Sequence, residues 1–130
     1  MNLFVLIIIF SSVFFACKDK PFKPNYENAG GFVIGKEKCN ADTTKDYWLV
    51  DLSIFPLQNT YGDTLVFNGI TYNHLVKTLE LSPEFKFIGA RVDFDFHLSA
   101  FAIQTNNCTI VSPFVFILKE MDVLAQGEIR

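Results

Sequence analysis

Histidine, cysteine and clustered basic residues are scarce in this chain, and each scarcity narrows what the protein can do. The 130 residues include two histidines and three cysteines, and the formal net charge is −3. Basic residues gather only at Lys18, Lys20 and Lys23. A mildly acidic chain without a basic patch lacks the electrostatic footprint of nucleic-acid-binding proteins. We therefore expect no nucleic-acid partner.

Recognisable catalytic motifs are also missing. The sequence has no nucleophile elbow, no paired histidines at metal-binding spacing and no P-loop. His74 follows a predicted turn and has no nucleophile fixed near it in sequence, so we interpret it as an exposed loop residue. These absences predict a protein that is not an enzyme and that carries no cofactor.

Charge is absent from the first part of the chain. No charged side chain occurs between Met1 and Ala16, and Leu3–Phe10 forms an apolar core. The 14 residues from Leu3 to Ala16 would extend roughly 21 Å as a helix, which is short of a hydrocarbon core of about 30 Å. An apolar core that ends at a small residue is typical of a secretory signal. We expect residues 1–16 to be a signal peptide.

The segment Phe14-Phe15-Ala16-Cys17 resembles the lipobox of bacterial lipoproteins. In that family the signal is cut before the cysteine, and the new N-terminal cysteine carries lipid. The resemblance implies lipidation of Cys17 and a membrane partner reached through that lipid. Lys18-Asp19 also resembles the start of the signal that sends lipoproteins of Bacteroidota to the cell surface. The expected location is the cell envelope, at the outer membrane, facing the periplasm or the surface.

The remaining chain divides into a tether and one domain. Residues 17–29 hold two prolines and few apolar side chains, which is typical of a semi-extended linker. Residues 30–130 are the right length for a single domain with its own core.

The odd number of cysteines resolves if Cys17 carries lipid. Cys39 and Cys108 then remain as an even pair, and a disulfide can persist outside the cytoplasm. Two separate thiols or a metal pair are the alternatives. A zinc site is disfavoured because no histidine lies at zinc spacing from either cysteine. We predict a Cys39–Cys108 disulfide.

Strands dominate the predicted domain. β-branched and aromatic runs separated by turn residues indicate strands, and Asn68-Gly69 indicates a tight hairpin. In 83–87, a serine N-cap and a proline at the first helical position predict one short helix. Residues 73–81 have apolar spacing that also fits a helix. The predicted strands are 31–39, 47–55, 64–67, 70–72, 90–99 and 114–124.

This order predicts a mostly β protein. Strands interrupted by one short helix fit a small OB-like β-barrel, and a small β-sandwich is the alternative. Fifteen phenylalanines suit either closed core because each large ring fills much of a small interior.

The sharpest constellation of polar residues lies on the strand 90–99. Asp93, Asp95 and His97 alternate with apolar residues, so all three lie on one face of the strand. Each is about 6.5–7 Å from the next. Converging side chains of this kind could approach a metal or serve acid–base chemistry. Alternation alone already explains them as the solvent face of a half-buried strand. We therefore predict no metal site, and keep the trio only as a weak candidate.

Tyrosine and tryptophan supply a candidate binding face. Both side chains are favoured at interfaces because a large apolar ring carries a polar atom. They could line a sugar-stacking or peptide-binding surface, or pack at the rim of the core. The candidates are Tyr47, Trp48, Tyr61 and Tyr72.

Most of residues 31–130 are similar in sequence pattern to small uncharacterised lipoproteins of Bacteroidota. The similarity rests on GKEKCNADTTKDYWLVD, on YGDTLVFNGITYNHLVKTLEL and on the closing QGEIR. It implies an exported, lipid-anchored β domain without an established activity. We expect a non-catalytic binding or structural module with an envelope protein or glycan as partner. A subunit of an envelope complex and a metal-dependent enzyme using Asp93, Asp95 and His97 are the alternatives.

Overall fold

The computed structural model describes residues 24–105 and 116–130, which form a sheet of six strands. Two single turns of 3-10 helix, Thr43–Lys45 and Pro83–Phe85, lie between strands. The strands are β1 (Glu27–Lys36), β2 (Trp48–Phe55), β3 (Asp63–Phe67), β4 (Ile70–Thr78), β5 (Arg91–Ile103) and β6 (Leu118–Glu128).

Five of these strands close into a barrel. β1 pairs with β2 and β5, β2 pairs with β4, and β5 pairs with β6, all antiparallel. The ring closes where β4 meets β6 in a parallel contact at Lys77 and Glu120. β3 is an additional strand, and among the described strands it pairs only with β4. The predicted OB-like barrel is therefore confirmed, and the sandwich alternative is wrong.

The barrel interior is filled by side chains that point inward from its strands. Val92, Phe94 and Phe96 on β5 are fully buried, whereas Arg91 and His97 are exposed. This confirms the alternation predicted for β5. Residues from the other barrel strands complete this main core: Ala29, Val33, Val50, Leu52, Val76 and Met121.

A second, smaller core covers the outer face of the barrel. Leu49 and Leu75 alternate with the inward-pointing Val50 and Val76, so they lie on the opposite face of β2 and β4. The β3–β4 hairpin brings Leu65, Phe67 and Tyr72 against this face. As a result, β4 is buried on both sides.

The hairpin turn is the one that the sequence predicts. Asn68 and Gly69 have φ values of +50° and +79°, and Phe67 pairs with Ile70 across them. Positive φ at both central residues gives a turn whose twist matches that of the flanking strands, and Asn-Gly favours it.

Two expectations about secondary structure need correction. The helix predicted over 83–87 is one 3-10 turn, Pro83–Phe85, and no described residue belongs to a longer helix. The helical spacing of residues 73–81 is misleading because β4 continues to Thr78. Burial on both faces gives β4 consecutive apolar residues, which removes the alternation by which a strand is recognised.

Of the predicted N-terminal boundaries, the structure describes only the one between the tether and the domain. β1 begins at Glu27, three residues before the expected start of the domain at residue 30. The signal peptide at residues 1–16, the lipidation site Cys17 and most of the tether lie outside the described residues. Among the described residues, none forms a helix long and apolar enough to cross a membrane.

Candidate ligand-binding groove

A groove of about 680 Å³ lies beside the end of β1. Ile34 and Lys36 of β1, with Lys38 just beyond, form one side. The tip of the β3–β4 hairpin and the segment before β5 form the others. We call this cavity the groove, and its apolar side chains are Ile34, Trp48, Val66, Phe67, Phe87, Ile88 and Phe116.

Close packing of the hairpin on β1 shapes the groove. Gly35 has no side chain, and a Cβ atom built there would lie 2.8 Å from Cζ of Phe67. Glycine therefore lets the Phe67 ring lie directly on the strand. Phe67 also meets Phe116 edge to face, with 5.6 Å between ring centroids. The groove thus has a packed aromatic wall, although Val66 and Ile88 at its edges are 60% and 74% exposed.

The groove carries positive charge. Lys36 and Lys38 line it, whereas Glu37 between them is 1% exposed and directed away into the protein. The ammonium of Lys36 lies 5.3 Å from the centroid of the Trp48 ring, within the range of a cation–π contact. Within residues 24–105 and 116–130, neither Lys36 nor Lys38 forms an ion pair.

Glu37 is neutralised on the far side by Lys77. The side chains of Lys77 and Glu37 are 0% and 1% exposed, and Nζ lies 3.5 Å from Oε1. The ammonium also donates to Thr105 Oγ1 at 3.0 Å and to the Phe116 carbonyl at 3.3 Å. Thr105 in turn donates to Oε2 of Glu37 at 2.8 Å. Burial raises the pKa of Glu37, opposed by the hydrogen bond from Thr105 and by the charge of Lys77.

A second cavity of about 400 Å³ lies near the start of β1. Tyr61 borders it and donates a short hydrogen bond to Oε2 of Glu27. This hydrogen bond, together with desolvation, raises the pKa of Tyr61 to about 12. The same ring meets Phe96 edge to face at 5.4 Å. The contact ties the first residues of the barrel to the loop before β3.

The structure brings Asp93 and Asp95 together but leaves His97 apart from them. Asn28 Nδ2 donates to Oδ1 of Asp93 at 2.7 Å and to Oδ1 of Asp95 at 2.8 Å. His97 is exposed and borders the second cavity instead. Among the described residues, no group of three or more histidine, cysteine or acidic side chains is arranged to hold a metal ion.

The aromatic candidates do not form one face. Trp48 lines the groove, Tyr61 borders the second cavity, and Tyr72 packs in the outer core. The ring of Tyr47 lies under the Lys77 ammonium, 4.7 Å from it. Burial and the carboxylate of Glu120 raise the pKa of Tyr47.

The interpretation of His74 as an exposed loop residue is wrong. It lies on β4, is half-buried, and has its Nδ1 atom 3.0 Å from the carbonyl oxygen of Tyr61. β4 extends further than the sequence suggested, so the position falls within a strand. His74 therefore joins β4 to the loop before β3.

Of the two cysteines in the predicted disulfide, the structure describes only Cys39. Cys39 is 4% exposed, in the loop after β1. Cys108 lies outside the described residues. The Cys39–Cys108 bridge stays a prediction.

Sequence reasoning missed the groove and Lys77. The motif Lys36-Glu37-Lys38 carries a usable signal, because a single acid between two bases at the end of a strand faces the other way. The groove is lined by segments that lie far apart in sequence, and no local sequence pattern predicts that these segments come together.

The fold defines the chain as a small closed β-barrel with an added strand. No family model, no curated protein and no solved structure matches it.

Proposed function

We propose that this protein is a non-catalytic binding module, held on the cell envelope by lipid at Cys17, and that the groove is its ligand-binding surface. The observation that carries the binding role is the groove itself. Small-molecule sites are concave and mostly apolar, and a few polar groups orient the ligand. The described lining of the groove has this composition, because seven apolar side chains are accompanied by Lys36, Lys38 and Asn68.

The anchoring role is supported by the sequence of the first twenty residues. An apolar core, a small residue, Cys17 and a charged stretch follow each other in the order of a lipoprotein signal. Stable membrane attachment needs more than one acyl chain or a second membrane contact, so we expect the lipid at Cys17 to carry more than one chain. The residues that follow, up to β1, connect the anchor to the barrel.

The anchor is tested by metabolic labelling. Cells that express the full-length chain are fed an alkyne-bearing fatty acid, and the protein is compared with Cys17→Ala. We expect label and membrane attachment in the wild type and neither in the variant. Label that persists in Cys17→Ala would refute lipidation at this residue.

The binding role is tested with the single tryptophan of the chain as reporter. Trp48 lines the groove, so a neutral apolar dye such as N-phenyl-1-naphthylamine bound there should accept its excitation energy. The full-length chain in phosphatidylcholine nanodiscs is titrated with the dye. We expect saturable energy transfer in the wild type.

Two variants localise the dye. Val66→Glu places a charge on the groove edge, whereas Ile70→Glu makes the same change on the same hairpin outside the groove. Val66 and Ile70 are 60% and 55% exposed, so neither change disturbs a packed core. Binding should weaken in Val66→Glu alone. Equal behaviour of the two variants would refute the groove as the binding surface.

A further inference from the structure

We propose that the groove takes a free, single-chain amphiphile with a carboxylate head group, a ligand of the fatty-acid class. The acyl chain lies along the apolar walls, and the carboxylate lies at Lys36 and Lys38. This inference rests on the proposed binding role of the groove.

The size of the groove favours a small molecule. Its volume of about 680 Å³ lies within the range of roughly 300–1,000 Å³ that is usual for small-molecule sites.

The groove has an apolar end and a charged end. Backbone hydrogen bonds from Val33 N to Ala90 O, 2.9 Å, and from Gly89 N to Val33 O, 2.7 Å, hold the segment before β5 beside Val33. Phe87 and Ile88 therefore border the groove near Ile34. Lys36, the last residue of β1, lies three residues beyond Val33, which is roughly 10 Å along a strand, and Lys38 follows it in the loop. A ligand with one apolar and one charged end matches this polarity.

The charge of the head group follows from the alternation at the end of β1. Lys36 and Lys38 line the groove, while Glu37 is buried on the other side against Lys77. Among the residues that the structure describes, no acidic side chain lines the groove. The groove therefore presents two cations that form no ion pair with any described residue, beside a surface that favours hydrocarbon. An anionic head group can pair with both ammonium groups, and ionised partners form the stronger hydrogen bonds.

Trp48 positions one of the two cations at the charged end. Its ring holds the Lys36 ammonium at 5.3 Å, so the cation is positioned before a ligand arrives. A positioned cation loses less side-chain entropy when the carboxylate binds.

The test compares two photoreactive probes with the same diazirine-bearing dodecyl chain, one a carboxylate and one an alcohol. Each is irradiated with the full-length chain in phosphatidylcholine nanodiscs, and labelled peptides are quantified by mass spectrometry. We expect the carboxylate to label the peptides that contain Val66 and Ile88 at roughly tenfold lower concentration than the alcohol, since only its head group is ionised.

A matched pair of variants tests the lysines. Lys36→Gln/Lys38→Gln should remove the preference for the carboxylate, and Lys45→Gln/Arg130→Gln should keep it. Both pairs change the net charge equally, and Lys45 and Arg130 are exposed outside the groove. Added salt should weaken labelling by the carboxylate but not by the alcohol. Lys38→Gln alone, at an exposed position, should reduce the preference without a change in thermal unfolding.

The outcomes separate this inference from the binding role. Equal labelling of the groove by both probes, or a preference that survives Lys36→Gln/Lys38→Gln, overturns the anionic ligand and leaves the groove as a binding surface. Labelling that does not favour groove peptides with either probe overturns the fatty-acid class. If Val66→Glu also leaves the energy transfer from Trp48 to the dye unchanged, the binding role of the groove is refuted as well.

Discussion

At the scale of single residues, the ion pair of Lys77 and Glu37 connects three separate parts of the chain. Lys77 belongs to β4, Glu37 follows β1, and the ammonium also reaches Thr105 and the carbonyl of Phe116. A buried charge is tolerated only when its hydrogen bonds and its counter-charge are supplied. The pair therefore holds the end of β1 and the start of the β6 segment against β4.

Removing the cation should destabilise the protein strongly. Lys77→Met leaves the carboxylate of Glu37 buried without its partner, and such losses cost about 3–5 kcal/mol. Urea unfolding followed by circular dichroism measures the change in the free energy of unfolding. The double variant Lys77→Met/Glu37→Gln removes both charges and should recover most of the loss. A double variant as unstable as Lys77→Met would show that the charge of Glu37 is not the cause.

The raised pKa of Glu37 predicts a dependence of stability on pH. The folded protein holds this proton more tightly than the unfolded chain, whose reference value is 4.5. The resulting contribution is fully present below that unfolded value and is lost as pH rises through the raised folded value. Stability of the wild type relative to Glu37→Gln should therefore fall as pH rises from about 4.5. Thermal unfolding of both proteins over this range checks the sign, and a relative stability that rises with pH contradicts it.

Predictability from sequence differs between residues for a physical reason. The Asn68-Gly69 turn is set by the local backbone, since positive φ is needed at both positions. The burial of Lys77 depends on Glu37, which is 40 positions away. No local rule connects two such residues, and isolated lysines are almost always exposed.

At the scale of elements, β4 and β5 show what makes a strand recognisable. β5 has one buried and one solvated face over Arg91–Leu98, so its alternation could be read directly. β4 lies between the main core and the outer core, and Leu75 and Val76 are both fully buried. Consecutive apolar residues on such a strand cannot be distinguished from a helical stripe by periodicity. Because the β3–β4 hairpin covers the outer face of the barrel, β4 lost the alternation by which a strand is recognised in a sequence.

The loop between β1 and β2 is organised by one carboxylate. Oδ1 of Asp46 accepts hydrogen bonds from the Cys39 amide at 3.0 Å, from the Asn40 amide at 2.8 Å and from the Asn40 side chain at 3.0 Å. Asp46 is 3% exposed, so water does not replace these contacts. It closes the loop that carries Lys38 to the groove.

Asp46→Ala should loosen this loop. Buried amides lose an ionised acceptor, which costs about 1.5–3 kcal/mol, and amide exchange at Cys39 and Asn40 should accelerate. Asp42→Ala in the same loop is the control, since Asp42 is exposed and caps only the turn at Thr44. Its effect should be much smaller. Equal acceleration by the two substitutions would contradict the role of Asp46.

At the scale of the whole molecule, the cysteines link the barrel to the compartment in which it is expected to work. If Cys17 carries lipid, Cys39 and Cys108 should form one disulfide, and its loss should cost about 2–5 kcal/mol. Intact mass before and after alkylation counts the thiols of the purified full-length protein. Reductant should lower the melting temperature of the wild type but not of Cys39→Ser/Cys108→Ser. Two alkylated thiols without reduction would rule out the bridge.

The barrel is closed unevenly around its circumference. Within the described residues, β5 and β6 pair from Val92 to Ile103, whereas the backbone pairing of β4 with β6 is limited to Lys77 and Glu120. Side chains complete this seam. Gln126 accepts a hydrogen bond from the Ser82 amide at 2.8 Å and donates to the Glu80 carbonyl at 3.0 Å, and Glu80 accepts from the Val123 amide at 2.6 Å.

Gln126→Leu should therefore open the seam before the rest of the barrel. The substitution keeps the approximate size of the side chain but removes both hydrogen bonds, and it leaves the part-buried Ser82 amide without its acceptor. We expect a loss of about 1–3 kcal/mol in the free energy of unfolding. Hydrogen exchange should accelerate first at Ser82 and Val123, while the β5 amides keep their protection. Gln58→Leu, at an exposed position after β2, is the control and should change neither quantity. If β5 and the seam lose protection together in Gln126→Leu, the barrel opens as one unit and the seam has no separate role.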